Sequence, residues 1–408
     1  MKFAKVNPHP ARILAGNDRN GALKPKKILM IIAQFYPSIG GAEQECRKIA
    51  KQLKKTGHEV SVLTQYREDL PAYELIDGVP VYRKIRGWHW YELSYMLSVL
   101  ILLFRYRKNF DVICCFGLYL YIAPAVLFRF LTGKRVLVRL ESGGGTGDLL
   151  KAAQLSWGAL TIRCACRADG IIAISRQIEE ELLARGFPVK KVFRIPNSVD
   201  TETFSPAAHL KNEDIPIISY IGRLTRGKGV ELFIEGLTLL RQTNPEFKAF
   251  VVGGGEQRSS LEELVLARGL NDRITFTGEI PDAHAVAPYY QRSYLIVMPS
   301  YSEGMPLVLL EAMACGVPVV ASRVGGITDV IGLPEQQHPE PGGYWIGVHG
   351  ILVPPGDVPA LTAAIKRLLA DSALHRELAR KAREAAVNTY SLETVIQHYV
   401  KHVTGVME

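Results

Sequence analysis

Two glutamates separated by seven residues, Glu303 and Glu311, flank a short apolar segment of the chain. A strand is predicted to end at Pro299, and the run 306–314 predicts a helix that ends before Gly316. Backbone N–H groups at a helix N-terminus bind phosphates, and a carboxylate accepts hydrogen bonds from the two hydroxyls of a ribose diol. The pattern therefore predicts an anion site with a sugar-binding carboxylate on either side.

The spacing within this segment also predicts where the ligand lies. Gly304 follows Glu303 and lets the backbone approach a ligand closely. Glu311 follows Pro306 by five residues, which places it about 7–8 Å along the helix axis. That offset fits a diphosphate at the helix tip and a ribose beside the first turns. The alternative is a helix cap plus a surface residue, and the apolar surroundings of Glu311 argue against it.

A second glycine-containing loop carries two cations. Arg223 and Lys228 lie five residues apart in the segment 222–229, at the predicted carboxyl end of a strand. A planar guanidinium and a flexible ammonium together can clamp a diphosphate. Taken alone, the segment slightly favours two solvated loop cations. Two further glycine turns follow predicted strands. The turn at 40–41 is equally consistent with ligand contact and with tight packing, whereas an isolated run such as 253–255 is more often only a turn.

These loops must be positioned by the elements around them. Short apolar runs alternate with helical patterns from Lys27 onwards, are interrupted by polar sequence near residues 195–215, and then resume. Continuous apolar strands that alternate with helices indicate parallel sheets covered on both faces. The 408 residues suffice for two such domains. The sequence therefore predicts an α/β protein with two doubly wound domains and a cleft between them, where ligands bind at the carboxyl ends of the strands.

The predicted organisation has five parts. They are a basic tail over 1–26, a first domain over 27–200, a linker over 201–213, a second domain over 214–385, and a C-terminal helix over 386–408. We expect the last helix to pack back on the first domain, because no further strand accompanies it. The tail lacks the apolar core of a signal peptide. The stretch 332–349 is rich in Pro, Gly and Gln and predicts a surface loop.

Charge is unevenly distributed along the chain. Residues 1–200 hold 31 Lys and Arg against 17 Asp and Glu, a net of +14, whereas residues 201–408 hold 18 against 23, a net of −5. A basic half indicates an anionic partner such as nucleic acid, anionic lipid or a phosphorylated substrate. No nucleic-acid-binding signature is present, so we predict a membrane surface or a substrate instead. The six cysteines form no C-x-x-C pair, which favours reduced thiols in a cytosolic protein and no metal site.

The strongest apolar run is 93–104, twelve residues long. It is well short of the ~20 residues that span a bilayer. The simplest interpretation is a buried helix. The alternative is that it docks on a membrane beside the basic sequence that follows, Arg105–Lys108.

Taken together, these segments resemble the donor site of the retaining glycosyltransferases of family 4, which have the GT-B fold and an E-x7-E motif. The resemblance spans roughly residues 27–400, and the matching segments are, in order, 40–43, 196–200, 222–229, 302–322 and 350–357. It implies an α/β protein of the GT-B fold, in which two doubly wound Rossmann-like domains face each other across a cleft.

The resemblance also implies roles for individual residues. Arg223 and Lys228 would neutralise the leaving diphosphate, so that neither a metal nor a cofactor is needed beside the nucleotide-diphosphate-sugar donor. Glu311 would bind the ribose and Glu303 the hydroxyls of the donor sugar; Arg223, Lys228 and Glu303 are thus the predicted catalytic residues. The remaining donor-binding residues that it implies are Gly41, Gly278, Ile280, Met305, Leu307 and Val308.

One departure concerns the acceptor side. Many family members carry a histidine after the fourth strand of the first domain, and the corresponding stretch 139–148 has none. Glu141, Ser142 and Gly143 are the residues that we expect there instead.

The resemblance implies retaining, hexosyltransferase-like and metal-independent transfer of a sugar from a UDP- or GDP-sugar to a hydroxyl. The expected acceptor is a glycan or a lipid-linked molecule, in polysaccharide, lipid-linked glycan or cell-envelope synthesis. We expect a cytoplasmic protein, with peripheral contact to the inner face of a membrane through the N-terminal half as an open possibility. Two alternatives remain: a non-catalytic nucleotide-sugar-binding protein and a GT-B nucleotide-sugar epimerase.

Overall fold

The computed structural model describes residues 25–38, 40–207, 215–243, 246–280, 282–332 and 338–404. Most of the predicted basic tail therefore lies outside the described residues, as do the later residues of the predicted linker. The described residues form two mainly parallel β-sheets, one after the other along the chain. Both sheets carry helices on both faces, as the alternation of apolar runs predicts.

The first sheet lies within residues 27–194 and has the strand order β3-β4-β2-β1-β5-β6-β7-β8. Its strands are β1 (Lys27–Ile32), β2 (Glu59–Gln65), β3 (Tyr73–Ile76), β4 (Val79–Ile85), β5 (Val112–Phe116), β6 (Arg135–Leu140), β7 (Gly170–Ala173) and β8 (Val192–Arg194). Its helices are α1 (Gly41–Lys55), α2 (Tyr91–Arg105), α3 (Ile122–Thr132), α4 (Asp148–Gln154), α5 (Gly158–Ala165) and α6 (Arg176–Ala184). Among the pairs of this sheet, β3 and β4 alone are antiparallel within the described residues.

The second sheet lies within residues 217–353 and has the order β11-β10-β9-β12-β13-β15-β14. Its strands are β9 (Ile217–Ile221), β10 (Lys248–Val252), β11 (Ile274–Gly278), β12 (Leu295–Met298), β13 (Val319–Ser322), β14 (Trp345–Ile346) and β15 (Ile351–Val353). The helices that follow are α7 (Val230–Arg241), α8 (Arg258–Ala267), α9 (Ala283–Arg292), α10 (Leu307–Ala314), α11 (Gly325–Ile331), α12 (Val358–Ala370), α13 (Ser372–Asn388) and α14 (Leu392–Thr404).

A central strand of each sheet is buried along its whole length. All five residues of β5 and all five of β9 are buried, because helices cover both faces of each sheet. One face of the first sheet packs on α2–α6, and the other packs on α1 and α14. The C-terminal helix α14 buries Val395, Tyr399 and Val403 in that second layer. The end of the chain thus lies on the first sheet, although it follows the second in sequence.

Three short strands, β3, β8 and β14, were not predicted. β3 and β4 form a hairpin whose turn, Asp77-Gly78, has positive φ at both residues. An Asp-Gly pair is a strong hairpin signal, so this hairpin could have been predicted from the sequence. β8 continues the first sheet at its edge. β14 lies inside the stretch 332–349, which was predicted as a loop, and pairs antiparallel with β15.

The prediction of a buried helix over 93–104 is wrong for one of its faces. α2 buries Tyr95, Val99 and Leu103, but Leu93 and Ile101 are about half exposed. One face of the helix therefore presents apolar side chains to solvent. Among the helices of the described residues, none is both long and apolar enough to cross a membrane.

Candidate functional site

The carboxyl ends of β9 and β12 bring Lys228 and Glu303 together. The Lys228 ammonium donates to Glu303 Oε1 at 2.7 Å, and the Ser300 hydroxyl donates to the same oxygen at 2.8 Å. The Glu303 side chain is 8% exposed and that of Lys228 24%, so this is a largely buried ion pair. Neutralising each other's charge lowers the cost of burying either group. The sequence predicted both residues for the site but not their direct contact.

A glycine turn makes this contact possible. Gly229, the N-cap of α7, has φ of 63°, and a Cβ there would lie 2.3 Å from the Pro299 carbonyl oxygen. Only a residue without a side chain lets the loop after β9 approach the end of β12 so closely. The loop 253–255 plays a similar packing part, because a Cβ on Gly253 would lie 1.9 Å from the Gly222 carbonyl oxygen. This turn thus serves the packing of β9 against β10.

Arg223 extends from the same loop as an exposed side chain. Its charge acts on Glu43, at the start of α1 in the first half of the chain. Burial raises the pKa of the Glu43 carboxyl, and Arg223 partly offsets that rise. Gly41, two residues earlier, has open space where a Cβ would stand. Packing within the protein therefore does not require a glycine at this position.

Glu311 lies on α10 and accepts a hydrogen bond from the buried Tyr290 hydroxyl at 2.6 Å. Burial raises the pKa of the Glu311 carboxyl, whereas the Tyr290 bond and the positive charge of Lys48 lower it. Lys48 belongs to α1, where its ammonium lies 2.7 Å from Glu45 Oε2. Glu311, the residue predicted to bind a ribose, is thus hydrogen-bonded to a side chain of the second half. It also faces a cation of the first half, Lys48.

Three predicted backbone donors lie at or just before the N-terminus of α10: Met305, Leu307 and Val308. The helix begins at Leu307 with Pro306 as its N-cap, one residue later than the prediction that placed Pro306 in the first turn. The first N–H groups of a helix have no partner within the helix, and proline has no N–H. The Met305 carbonyl accepts from the Asn197 side chain at 2.6 Å, which fixes the approach to the helix.

Gly304 has a different neighbour from the predicted one. A Cβ at this position would lie 2.3 Å from the backbone oxygen of Glu141, in the first half of the chain. On its other side, the Gly304 carbonyl accepts from the Gly326 amide at 2.9 Å. Gly304 therefore makes room for the other half of the protein, a contact that the sequence did not predict.

Gly278 and Ile280 lie at the end of β11 and just after it. The Gly278 carbonyl accepts from the Gly253 amide at 3.0 Å, and Gly278 has φ of 81°. Ile280 is partly buried against the main core. Both residues therefore border the carboxyl edge of the second sheet, two strands away from β9, which Arg223 follows.

The loop after β6 carries the three residues expected on the acceptor side. Asp148 holds it: one carboxylate oxygen accepts from the amides of Glu141 and Ser142, at 2.6 and 3.3 Å, and the other from the Ser142 hydroxyl at 2.9 Å. Gly143 is buried, and a Cβ there would press on Ile178 at 2.9 Å. The loop is thus a rigid, hydrogen-bonded element that contacts Gly304 of the second half.

Glu141 also belongs to a buried ionic group. The guanidinium of the buried Arg139 donates one hydrogen bond to the Glu141 carboxylate and another to the side-chain oxygen of Asn197. Burial raises the pKa of Glu141 to about 7, although the charge and hydrogen bond of Arg139 oppose the rise. Since Asn197 in turn holds Met305, a chain of hydrogen bonds links β6 to the N-terminus of α10.

Four contributors to the site were not predicted as such: Lys48, Asn197, Tyr290 and Ser300. Asn197 stands in the segment 196–200, which carries part of the resemblance but gave no role for this side chain. Ser300 lies three residues before Glu303, a spacing compatible with the bond that it makes. Lys48 and Tyr290 face Glu311 from remote parts of the chain, and no local pattern marks them.

Two family models match the chain in succession. "Glycosyltransferase Family 4" matches residues 39–203, and "Glycosyl transferases group 1" matches residues 201–385. The sulfoquinovosyl transferase of Arabidopsis thaliana is 32% identical over 390 residues, which are 90% of this chain and 71% of that protein. One component of the phosphatidylinositol N-acetylglucosaminyltransferase of the same plant is 27% identical over 317 residues, 75% of this chain and 69% of that protein.

A solved structure shares the whole architecture. Sucrose-phosphate synthase from Thermosynechococcus elongatus aligns with a TM-score of 0.73 and 26% identity, over 92% of this chain and 97% of that one. Because a single alignment covers both doubly wound domains, the likeness extends to the whole two-domain architecture and is not limited to one domain.

Proposed function

The chain belongs to glycosyltransferase family 4 and has the GT-B fold, and from this premise we propose that it transfers a sugar from a nucleotide-diphosphate sugar to a hydroxyl group, with retention at the anomeric carbon. The observation that carries the proposal is the buried pair of Lys228 and Glu303 at the carboxyl edge of the second sheet. A cation and a carboxylate held there are suited to a diphosphate and a sugar that are joined to each other.

Departure of the diphosphate is the step that the second half supports. When the bond from the anomeric carbon to the phosphate oxygen breaks, its electron pair leaves with the diphosphate. Arg223, Lys228 and the N-terminus of α10 stabilise that charge from fixed positions. Arg223 and Lys228 bring two positive charges to the dianionic diphosphate of the donor, and that of Lys228 is shared with Glu303. The proposal assigns no metal ion and no cofactor to the leaving group.

Glu303 has a positioning and a binding part in this proposal. Its Oε1 accepts from Lys228 and Ser300, which orients the carboxylate, and we assign Oε2 to a hydroxyl of the donor sugar. Glu311, oriented by Tyr290, accepts from the ribose hydroxyls. The base lies against the backbone at Gly278 and Ile280, and Gly41 approaches the donor phosphate from the first half.

The acceptor approaches along the loop of Glu141, Ser142 and Gly143. Its hydroxyl oxygen bonds to the anomeric carbon on the face that the phosphate leaves, and its proton passes to the departing phosphate oxygen. This front-side route keeps the anomeric configuration without a nucleophile from the protein. The name of one relative, a component of a phosphatidylinositol N-acetylglucosaminyltransferase, supports a lipid-linked acceptor of the kind used in glycan or cell-envelope synthesis.

A donor and acceptor panel tests the proposal. The full chain is incubated with UDP- and GDP-sugars and with hydroxyl acceptors, including lipid-linked ones, and the anomeric configuration of each product is determined by NMR. We expect one donor to be consumed with retention. Lack of any donor turnover together with lack of nucleotide binding in calorimetry would refute the proposal. Binding without turnover would indicate a non-catalytic binding protein, and conversion of the donor alone would indicate an epimerase.

A further inference from the structure

The outer surfaces of α2 and α3 carry large apolar side chains in solvent. On α2, Leu93, Leu97 and Ile101 are 49%, 48% and 54% exposed, and their spacing of four residues places them on one stripe of the helix. On α3, Leu127, Phe130 and Leu131 are 47%, 60% and 62% exposed. Such side chains are common singly, but a contiguous set marks an interaction surface.

The two helices present these side chains side by side. Phe104 near the end of α2 packs edge-on against Phe128 of α3, with ring centroids 5.0 Å apart. Both helices also cover the same face of the first sheet. The six residues therefore form one surface, which we call the α2–α3 apolar face.

Two tryptophans extend this face at the start of α2. Trp88 is 54% exposed and Trp90 82%. Trp90 has φ of 56°, a left-handed conformation that is unfavourable for a bulky side chain. Trp90 thus combines an unfavourable backbone conformation with a solvent-exposed indole ring. Amphipathic tryptophan rings are enriched at the boundary between lipid and water.

Positive charge surrounds the other end of the face. Arg105, the last residue of α2, and Arg107 and Lys108, which follow it, are exposed. Between residues 86 and 134 the sequence holds six Lys and Arg against two acidic residues, Glu92 and Asp111. A second copy of the chain, related by a two-fold axis, would bring equal positive charges together on this surface. An anionic lipid surface matches both the apolar side chains and their basic border.

We propose that the α2–α3 apolar face docks on an anionic lipid bilayer. The proposal deepens the proposed function and rests on it. The acceptor loop 141–147 leads into α4, and the link from α4 to α5 exposes Leu155 and Trp157. Helix α5 in turn packs on α3. Docking through this face therefore holds the loop next to the bilayer, where a lipid-linked hydroxyl is presented to the cleft.

Cosedimentation of the full chain with vesicles tests the proposal. Vesicles of phosphatidylcholine alone are compared with vesicles that also contain phosphatidylglycerol. We expect binding to the mixed vesicles that weakens as salt is added, because the headgroup attraction is screened. The triple variant Leu97→Gln, Ile101→Gln, Phe130→Gln removes three apolar side chains, and we expect at least a roughly tenfold loss of partitioning. Circular dichroism verifies that each variant is folded.

Two matched variants sharpen the result. Leu266→Gln with Val387→Gln changes exposed apolar residues of other surfaces and is expected to bind like the wild type. Arg105→Gln with Arg107→Gln and Lys108→Gln is expected to lose the preference for anionic vesicles. Equal binding by the apolar-face triple variant and the wild type would overturn the proposal, as would a wild-type dimer that the triple variant dissociates in light scattering.

Nucleotide binding, measured by calorimetry on the same preparations, separates this proposal from the proposed function. Vesicle binding without nucleotide binding would refute the donor site and leave the docking face standing. Nucleotide binding without vesicle binding would do the reverse.

Discussion

Among the described residues, the half of the chain before residue 200 exposes 18 large apolar side chains, and the half after it exposes four. Both halves nevertheless have the same architecture, a doubly wound sheet covered by helices. The four exposed side chains of the second half, Leu266, Tyr301, Val348 and Val387, lie far apart in sequence. One fold therefore carries two different surfaces: the second half closes its core, while the first keeps an apolar face in solvent.

The charge of the two halves differs in the same sense. The first half has a net charge of +14 and the second of −5, yet the proposed diphosphate site lies mainly in the acidic half. Net charge is therefore a poor guide to a phosphate site. Two placed cations and a helix N-terminus suffice for such a site, whereas a distributed excess of charge suits an extended anionic surface.

The largest expected effect would test the role of the second half. Lys228→Ala should lower the transfer rate by about 10²–10³-fold, because one fixed stabiliser of the leaving charge is lost. The nearby Arg226→Ala is the matched control, since Arg226 is an exposed cation of the same loop. Initial rates with a saturating donor measure both. Similar transfer rates for the two variants would show that Lys228 does not stabilise the leaving charge.

The buried charges of the first half are expected to act on stability instead. Burial raises the pKa of Glu141 from 4.5 to about 7, so folding favours its protonated form. That stabilisation is complete below about pH 4.5 and is lost as the pH rises through 7. Relative to Glu141→Gln, the wild type should therefore lose up to about 3 kcal/mol of unfolding free energy across this window.

Urea unfolding at about pH 5 and about pH 8 measures this difference for both proteins. Glu263→Gln, a change of an exposed carboxylate, serves as the control and should show no such trend. A wild-type advantage that is constant with pH would mean that Glu141 is already ionised at the lower pH beside Arg139.

A smaller effect is expected at Tyr290, the partner of Glu311. Tyr290→Phe removes one hydrogen bond to a buried carboxylate and should weaken nucleotide binding by about tenfold. KM for the donor should rise more than kcat falls, because the ribose is held alike in the ground and transition states. Tyr294→Phe, which removes a hydroxyl that bonds the Leu368 carbonyl, is the control. A fall in kcat with no change in KM would contradict a role for Tyr290 in binding.

The smallest effect concerns the strained residue of the apolar face. Trp90→Gly should stabilise the fold by about 1 kcal/mol, because glycine accepts a left-handed conformation. Trp90→Ala keeps a Cβ and the strain, so it should give no such gain. Both variants should bind anionic vesicles more weakly than the wild type. Stability is measured by thermal unfolding. Equal melting temperatures for Trp90→Ala and Trp90→Gly would contradict this explanation.

The fold could be predicted from the sequence because its central strands are continuous apolar runs. β1, β5, β9 and β12 all lie where these runs predict them. The misses follow from the same logic: β14 has only two residues, and one face of α2 is apolar without being buried. Apolar periodicity identifies a helix but does not identify what covers each of its faces.

Sequence motifs named the candidate site residues that lie within short segments of the chain. Arg223, Lys228, Glu303 and Glu311 all stand in motifs. In the structure the loops after the adjacent strands β9 and β12 carry the first three, Lys228 contacts Glu303, and Glu311 lies on the helix that follows β12. Their partners do not stand in motifs. Tyr290 is 21 residues from Glu311, and Asn197 is 108 residues from Met305, so only the folded chain shows these contacts. The same is true of Gly304, whose neighbour Glu141 belongs to the other half.

Titration of nucleoside diphosphates by calorimetry tests the donor site most directly. UDP and GDP are each added to the wild type, to Lys228→Ala and to Arg226→Ala. We predict that one of the two nucleotides binds the wild type and Arg226→Ala with similar affinity, and that Lys228→Ala binds it at least about tenfold more weakly. Equal affinity in all three proteins, or no binding of either nucleotide to the wild type, would contradict a diphosphate site at Lys228.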